Sequence, residues 1–246
     1  MSGSRRAERG LARWTSLALG LALVCGAAWW ATNSSLFDLR SVSVEGAVHL
    51  SRAEVLRQAG LDRGTNVLWT QPGAVERRLE RNPWVLEARV SRALPSSMSV
   101  AVRERVPVAM LGGPTPLLVA GDGTVLGPAR GAWTLPALRE EGLTVGPGGR
   151  LPASPALAAA RALPPGLRAR VADVSVEGGR WVSLTLRDGT EVLLGTPEGL
   201  EEKAASLQAV LAWARREGVR PLRVDVRVPW APALMPAGPG PPPAQP

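Results

Sequence analysis

Hydrophobic and polar positions divide the chain into three regimes. From Trp14 to Ala31 the sequence reads WTSLALGLALVCGAAWWA without a charge, and at about 1.5 Å per residue a helix of it spans roughly 27 Å, close to a bilayer core. We therefore predict a transmembrane helix over residues 14–32. After it the pattern turns to short alternations. Val42 and Val44 alternate with Ser41, Ser43 and Glu45 before Gly46, as in a half-buried strand. Ser51-Arg52-Ala53-Glu54 has capping-box spacing and starts a helix from Arg52 to Ala59, closed by Gly60. Pro72 opens a second helix with Val75 and Leu79 on its buried face, and Pro83 ends it by Asn82. Two strands follow, with Leu86, Ala88 and Val90 on the apolar side of one and Met98, Val100 and Val102 on that of the other. Trp84 is expected to plug the core beneath this hairpin.

A second block of alternation starts near residue 108. Gly121-Asp122-Gly123 joins two strand-like runs, 117–120 and 124–126. A Pro- and Gly-rich stretch with a helical piece near Ala156 to Leu163 leads to "DVSVEGGRWVSLTLRDGTEVLLG", which predicts a three-stranded meander. Thr196-Pro197-Glu198 suits a helix start, and Leu200, Ala204, Leu207, Leu211 and Ala214 mark one face up to Gly218. The last predicted strand runs from Leu222 to Val228, with Val224, Val226 and Val228 on one side and Arg223, Asp225 and Arg227 on the other. Residues 231–246 are expected to be a disordered Pro/Gly-rich tail.

Charge orients the first helix. Arg5, Arg6, Arg9 and Arg13 precede it against one Glu8, so the positive-inside rule puts residues 1–13 in the cytoplasm and the rest, from about Ser34, across the membrane. Trp14 at one end and Trp29 with Trp30 at the other suit the two interfaces. The Ala-Trp-Trp-Ala at 28–31 is a poor cleavage site, which favours a retained anchor over a signal peptide. Ala18, Ala22 and Gly26 form a small-residue stripe suited to packing on another membrane helix.

Composition removes most chemistry. The net charge of +8 comes from arginines interleaved with Glu and Asp, which argues against a nucleic-acid surface. Cys25 and His49 are the sole residues of their kinds, so a disulfide framework, a cysteine-bound zinc or a Ser-His-Asp triad has too few parts. Glu140-Glu141 and Glu201-Glu202 are adjacent pairs that diverge, not a dyad across a sugar cleft. Asp122 and Asp188 are turn residues. No enzyme, cofactor, metal or small-molecule substrate is expected, and function has to come from surfaces.

In this order, a strand ending in Gly46, then Asn82-Pro83-Trp84-Val85, then "RALP", then Arg103-Glu104-Arg105 followed by Pro107 and Ala109 resembles the POTRA domain of the bacterial cell-division family FtsQ/DivIB. Leu186-Arg187-Asp188-Gly189, Leu194-Gly195, Glu202-Lys203 and Asp225-Val226-Arg227 resemble its carboxy-terminal half. The resemblance implies an α+β chain: a transmembrane helix, a βααββ POTRA domain over 38–107 and a mixed-sheet domain with a packed helix over 108–230. It also implies a non-enzymatic divisome scaffold of the cytoplasmic membrane at the septum, single-pass with its domains in the periplasm, that binds FtsB- and FtsL-like bitopic proteins. The alternative is a POTRA-type assembly or transport factor acting by strand addition. On either reading Leu222, Val224, Asp225, Val226, Arg227, Val228 and Trp230 are the candidate partner-binding residues, gripping an incoming strand at the sheet edge.

Overall fold

The computed structural model describes the backbone from Ser4 to Gly238 and side chains from Leu17 to Gly238. Helix α1, Ser4–Thr32, starts ten residues before the expected span. The stretch Leu17–Phe37 is long and apolar enough to cross a membrane, and none of it is buried. The chain divides into two compact units, Met1–Glu104 and Arg105–Pro246.

In the first unit, β1 (Ser41–Glu45), α2 (Arg52–Ala59), α3 (Pro72–Leu79), β2 (Val85–Ala93) and β3 (Ser97–Glu104) follow the predicted order. The sheet runs β1-β3-β2, with β1 parallel and β2 antiparallel to β3. The capping box closes as expected: Glu54 N donates to Ser51 Oγ at 3.2 Å and Ser51 N to Glu54 Oε2 at 2.9 Å. Val55, Val75, Leu79, Val85, Met98 and Val100 fill the core.

Two details differ from expectation. A register shift between Val85 and Glu87 lets Val85 take the core position, so Leu86 is turned to solvent. Trp84 is only half-buried and stacks on His49, with ring centroids 4.7 Å apart, so it is not the core plug.

Gly46 ends β1 at φ +78, and a Cβ there would meet the carbonyl oxygen of Val102 at 2.1 Å. The strand can leave the sheet only because this residue has no side chain.

The second unit holds a nine-stranded mixed sheet. Its strands are β4 (Pro107–Leu111), β5 (Leu117–Ala120), β6 (Val125–Pro128), β7 (Ala137–Arg139), β8 (Val171–Glu177), β9 (Trp181–Leu186), β10 (Glu191–Gly195), β11 (Pro221–Asp225) and β12 (Ala233–Pro236). They lie in the order β12-β11-β10-β9-β8-β7-β4-β5-β6. Helices α4 (Pro155–Ala162), α5 (Pro165–Arg168) and α6 (Leu200–Arg216) give buried side chains to the same core as the sheet.

The β8-β9-β10 meander is antiparallel as predicted. Helix α6 begins three residues later than Pro197 suggested, because Gly199 adopts φ +62 at its N-cap. Along α6, Leu200, Ala204, Leu207, Leu211 and Ala214 are buried on the expected face. Each fully buried leucine of this kind contributes about 1.5–3 kcal/mol. Lys203 is buried with them, and its Nζ donates to Thr196 O at 2.8 Å.

The tail expectation needs correction. Ala233–Pro236 is not disordered but pairs antiparallel with β11, matching Leu234 to Val224 and Met235 to Arg223. Leu234 packs on the core, which is how a short Pro-flanked segment gains enough burial to be ordered. The last eight positions, 239–246, lie outside the described residues.

Replacing Gly46 by alanine should destabilise the first unit by at least about 2 kcal/mol, from left-handed strain plus the clash with Val102. Thermal unfolding followed by hydrogen exchange should show the loss at β1 and β3, with the amides of β8 to β10 unchanged.

Candidate functional site

Two motif residues of the first unit, Glu104 and Trp84, meet at His49. Glu104, the last residue of β3, points its carboxylate at the turn before α2. It accepts hydrogen bonds from the amides of Val48 (2.9 Å), His49 (2.9 Å) and Leu50 (2.9 Å), and from His49 Nδ1 at 2.8 Å. Its side chain is 6% exposed. Burial pushes the Glu104 carboxyl up, but the hydrogen bonds from Leu50, His49 and Val48 outweigh it and hold the pKa below the ordinary glutamate value. Asn82 works at the neighbouring corner: its Nδ2 donates to Gln58 Oε1 at 2.8 Å and its Oδ1 accepts from Trp84 N at 3.0 Å. Asn82, Trp84 and Glu104 are thus joints that hold α2, the turn after β1 and the start of β2 together.

The rest of that motif divides. Arg103 pairs with Glu87 at 3.0 Å on the wet face of the hairpin, as expected. Arg105 and Pro107 do not close the first unit; they belong to the second. Arg105 pairs with Asp122 at 2.9 Å, and Pro107 starts β4 opposite Ala120. A continuous motif in sequence straddles the boundary.

The predicted partner-binding segment is changed more. Val224 and Val226 are 0% exposed in the core and cannot grip a partner. Strand β11 has neighbours on both sides, β10 and β12, so it is not an edge. Asp225 Oδ1 accepts from Arg227 N at 3.0 Å and the two side chains pair at 2.6 Å, which bends the chain out of the strand. The bond from Arg227 holds the Asp225 carboxyl below its usual range. Leu222, Val228 and Trp230 remain exposed, Trp230 at 83%.

The open margin lies one strand further on. The amides of Ala88 and Val90 on β2 donate to Glu80, the C-cap of α3, and to Glu76 within it at 3.3 and 2.8 Å. The Arg52 guanidinium caps the Val42 carbonyl on β1. Strand β6 is covered by residues 148–150, with Val125 N bonded to Gly149 O at 2.9 Å. Strand β12 ends its sheet with no such cover among the described residues. Met235 on it is 57% exposed.

On the apolar helix, Ala18, Ala22, Gly26, Trp29 and Trp30 are all exposed, while the Trp14 side chain lies outside those described. Asp122 and Asp188 cap their own turns, receiving Thr124 N at 3.0 Å and Thr190 N at 3.1 Å. Glu140 receives Ser154 Oγ at 2.5 Å and Ala156 N at 3.2 Å at the start of α4. No group of three His, Cys, Asp or Glu side chains suited to a metal is found among the described residues.

An apolar helix long enough to cross a membrane, a βααββ module and a mixed sheet whose β12 margin is open among the described residues define a membrane-anchored POTRA protein. The POTRA domain of FtsQ type matches residues 37–105, and the carboxy-terminal domain of cell division protein FtsQ/DivIB matches residues 113–227. The chain is 34% identical to the cell division protein FtsQ of Myxococcus fulvus over 229 residues, 86% of this chain and 76% of that one. It is 32% identical to that of Anaeromyxobacter sp. over 248 residues, 89% and 79%, and 33% identical to that of Mycolicibacterium smegmatis over 200 residues, 80% and 58%. The chain therefore spans little more than half the length of the mycobacterial relative. It belongs to the FtsQ/DivIB family of cell-division proteins.

Glu104→Gln should cost the first unit about 2–4 kcal/mol near neutral pH, because an amide oxygen replaces a carboxylate that takes four hydrogen bonds. The folded pKa is depressed, so this stability is present above the unfolded value of about 4.3 and is lost as pH falls through the folded one. The gap between wild type and Glu104→Gln should therefore close below about pH 4, measured by urea unfolding across pH.

Proposed function

We propose that this chain is a non-enzymatic scaffold of the divisome. On this reading the N-terminus is cytoplasmic, both folded units lie in the periplasm, and the sheet margin at β12 receives an extended segment of a small FtsB- or FtsL-like bitopic protein at the septum. The observation that carries the proposal is the edge of β12, uncovered among the described residues and flanked by exposed Met235, Leu222, Val228 and Trp230. A strand end offers free N–H and C=O groups in a fixed row, and apolar side chains beside it give the added strand something to bury. Family membership supports the division role, and the basic residues ahead of the apolar stretch, Arg5, Arg6, Arg9 and Arg13, support the orientation.

This reading moves docking from Val224 and Val226 to the strand beside them. Asp225 and Arg227 serve it indirectly, by turning the chain so that Ala233–Pro236 can come back along β11.

Met235→Asp should reduce co-purification of the FtsB-like partner at least about tenfold, or about 1.4 kcal/mol, while the melting temperature stays near wild type because the side chain is exposed. Trp213→Ala on α6 should leave capture unchanged. Full capture by Met235→Asp, and by a chain lacking residues 233–246, would remove the edge from the mechanism. Depletion of the protein should give filamentous cells, and normal division would remove the scaffold role.

A further inference from the structure

We propose a second membrane contact: the loop before α3, with Trp69 at its tip, sits in the interfacial layer of the bilayer that α1 crosses, at the C-terminal end of that helix. The partner is the lipid headgroup region itself.

The argument starts from Asn66. Its Nδ2 donates to Thr32 O, the last carbonyl of α1, at 2.8 Å, and its Oδ1 accepts from Leu68 N at 2.9 Å and Trp69 N at 3.2 Å. One amide side chain therefore ties the backbone of Trp69 to the end of the helix, two hydrogen bonds and one amide group away, within roughly 8 Å. Two further bonds fasten the same loop: Val67 N to Phe37 O at 2.8 Å and Leu39 N to Thr65 O at 2.8 Å. Phe37 is also the last residue of the apolar stretch. A bilayer that covers this stretch ends where the loop is attached.

The loop then sorts its side chains in a way that packing alone does not require. Val67 is 0% exposed and fills the core, whereas Trp69, two residues on, is 59% exposed and has no core role. Leu36, Trp29 and Trp30 are likewise exposed on the segment to which the loop is bonded. Tryptophan with an apolar body and an N–H tip is most stable at the headgroup level, and Trp69 continues the aromatic belt begun by Trp29 and Trp30. Arginines border it. Arg63 lies in the loop, Arg40 donates to Ser35 O at 3.5 Å, and Arg92 donates to Thr70 O at 2.6 Å. They outnumber the nearby Asp38 and Asp62 and suit lipid phosphates.

The test uses the full chain in phosphatidylcholine/phosphatidylglycerol vesicles, with and without lipids brominated in the acyl segment next to the glycerol. The emission of Trp69 is taken as wild type minus Trp69→Phe, with Trp30→Phe and Trp213→Phe treated alike. The expected result is about twofold or greater quenching of the Trp69 and Trp30 signals and none of Trp213. Quenching of Trp30 without Trp69 overturns the proposal while leaving the anchor in place. Equal quenching of Trp69 and Trp213 also overturns it, since the contact would then not be confined to this loop. An unquenched Trp30 overturns it by removing the membrane span on which it rests, a result separate from loss of partner capture at β12.

Discussion

Every strand at the end of a sheet must do something with its outward-facing backbone groups, and this requirement organises both folded units. Water can satisfy them, but an exposed row also invites other chains. The first unit meets the requirement with its own side chains: Glu76 in α3 and Glu80 at its C-cap reach to β2, and Arg52 reaches from α2 to β1. The far margin of the large sheet is met by a folded-back loop at 148–150. Three margins handled by three different devices make the fourth, at β12, stand out as bare among the described residues.

Much of this was legible in the sequence because local chemistry dictates it. The capping box at Ser51, the helix stop at Pro83 and the alternation in β8, β9 and β10 each follow from residues within a few positions of one another. What was not legible depends on distant partners. Val85 displaces Leu86 from the core because a bulge opposite β3 shifts the register by one, and a one-residue shift exchanges the two faces of a strand. Strand β12 has only four residues between prolines and tail-like composition; it is ordered because β11 offers it a template and the core accepts Leu234. The helix start at Leu200 was missed because Gly199, at φ +62, separates Pro197 from the helix. Thr196 spends its carbonyl on buried Lys203 instead of on a helical turn.

The candidate site was half legible. Pattern alone pointed to the last strands of the sheet but took for its margin a strand whose valines face inward, since an alternating strand at a margin and one beside it look the same in sequence. The motif residues were recognisable as a set without showing their purpose. Glu104 proves to be a hub for three backbone amides and the single histidine, and Trp84 leans on that histidine. Their shared work is to fix a turn, which accounts for residues of such different chemistry travelling together.

The position of β12 in chain order has a consequence for timing. It follows every strand on which it depends: β11 must lie beside β10 before β12 has anything to pair with, and α6 must cross between them. A chain still being made cannot display this margin. On the scaffold reading, partner engagement then doubles as a check that the second unit has finished folding, with no separate inspection needed.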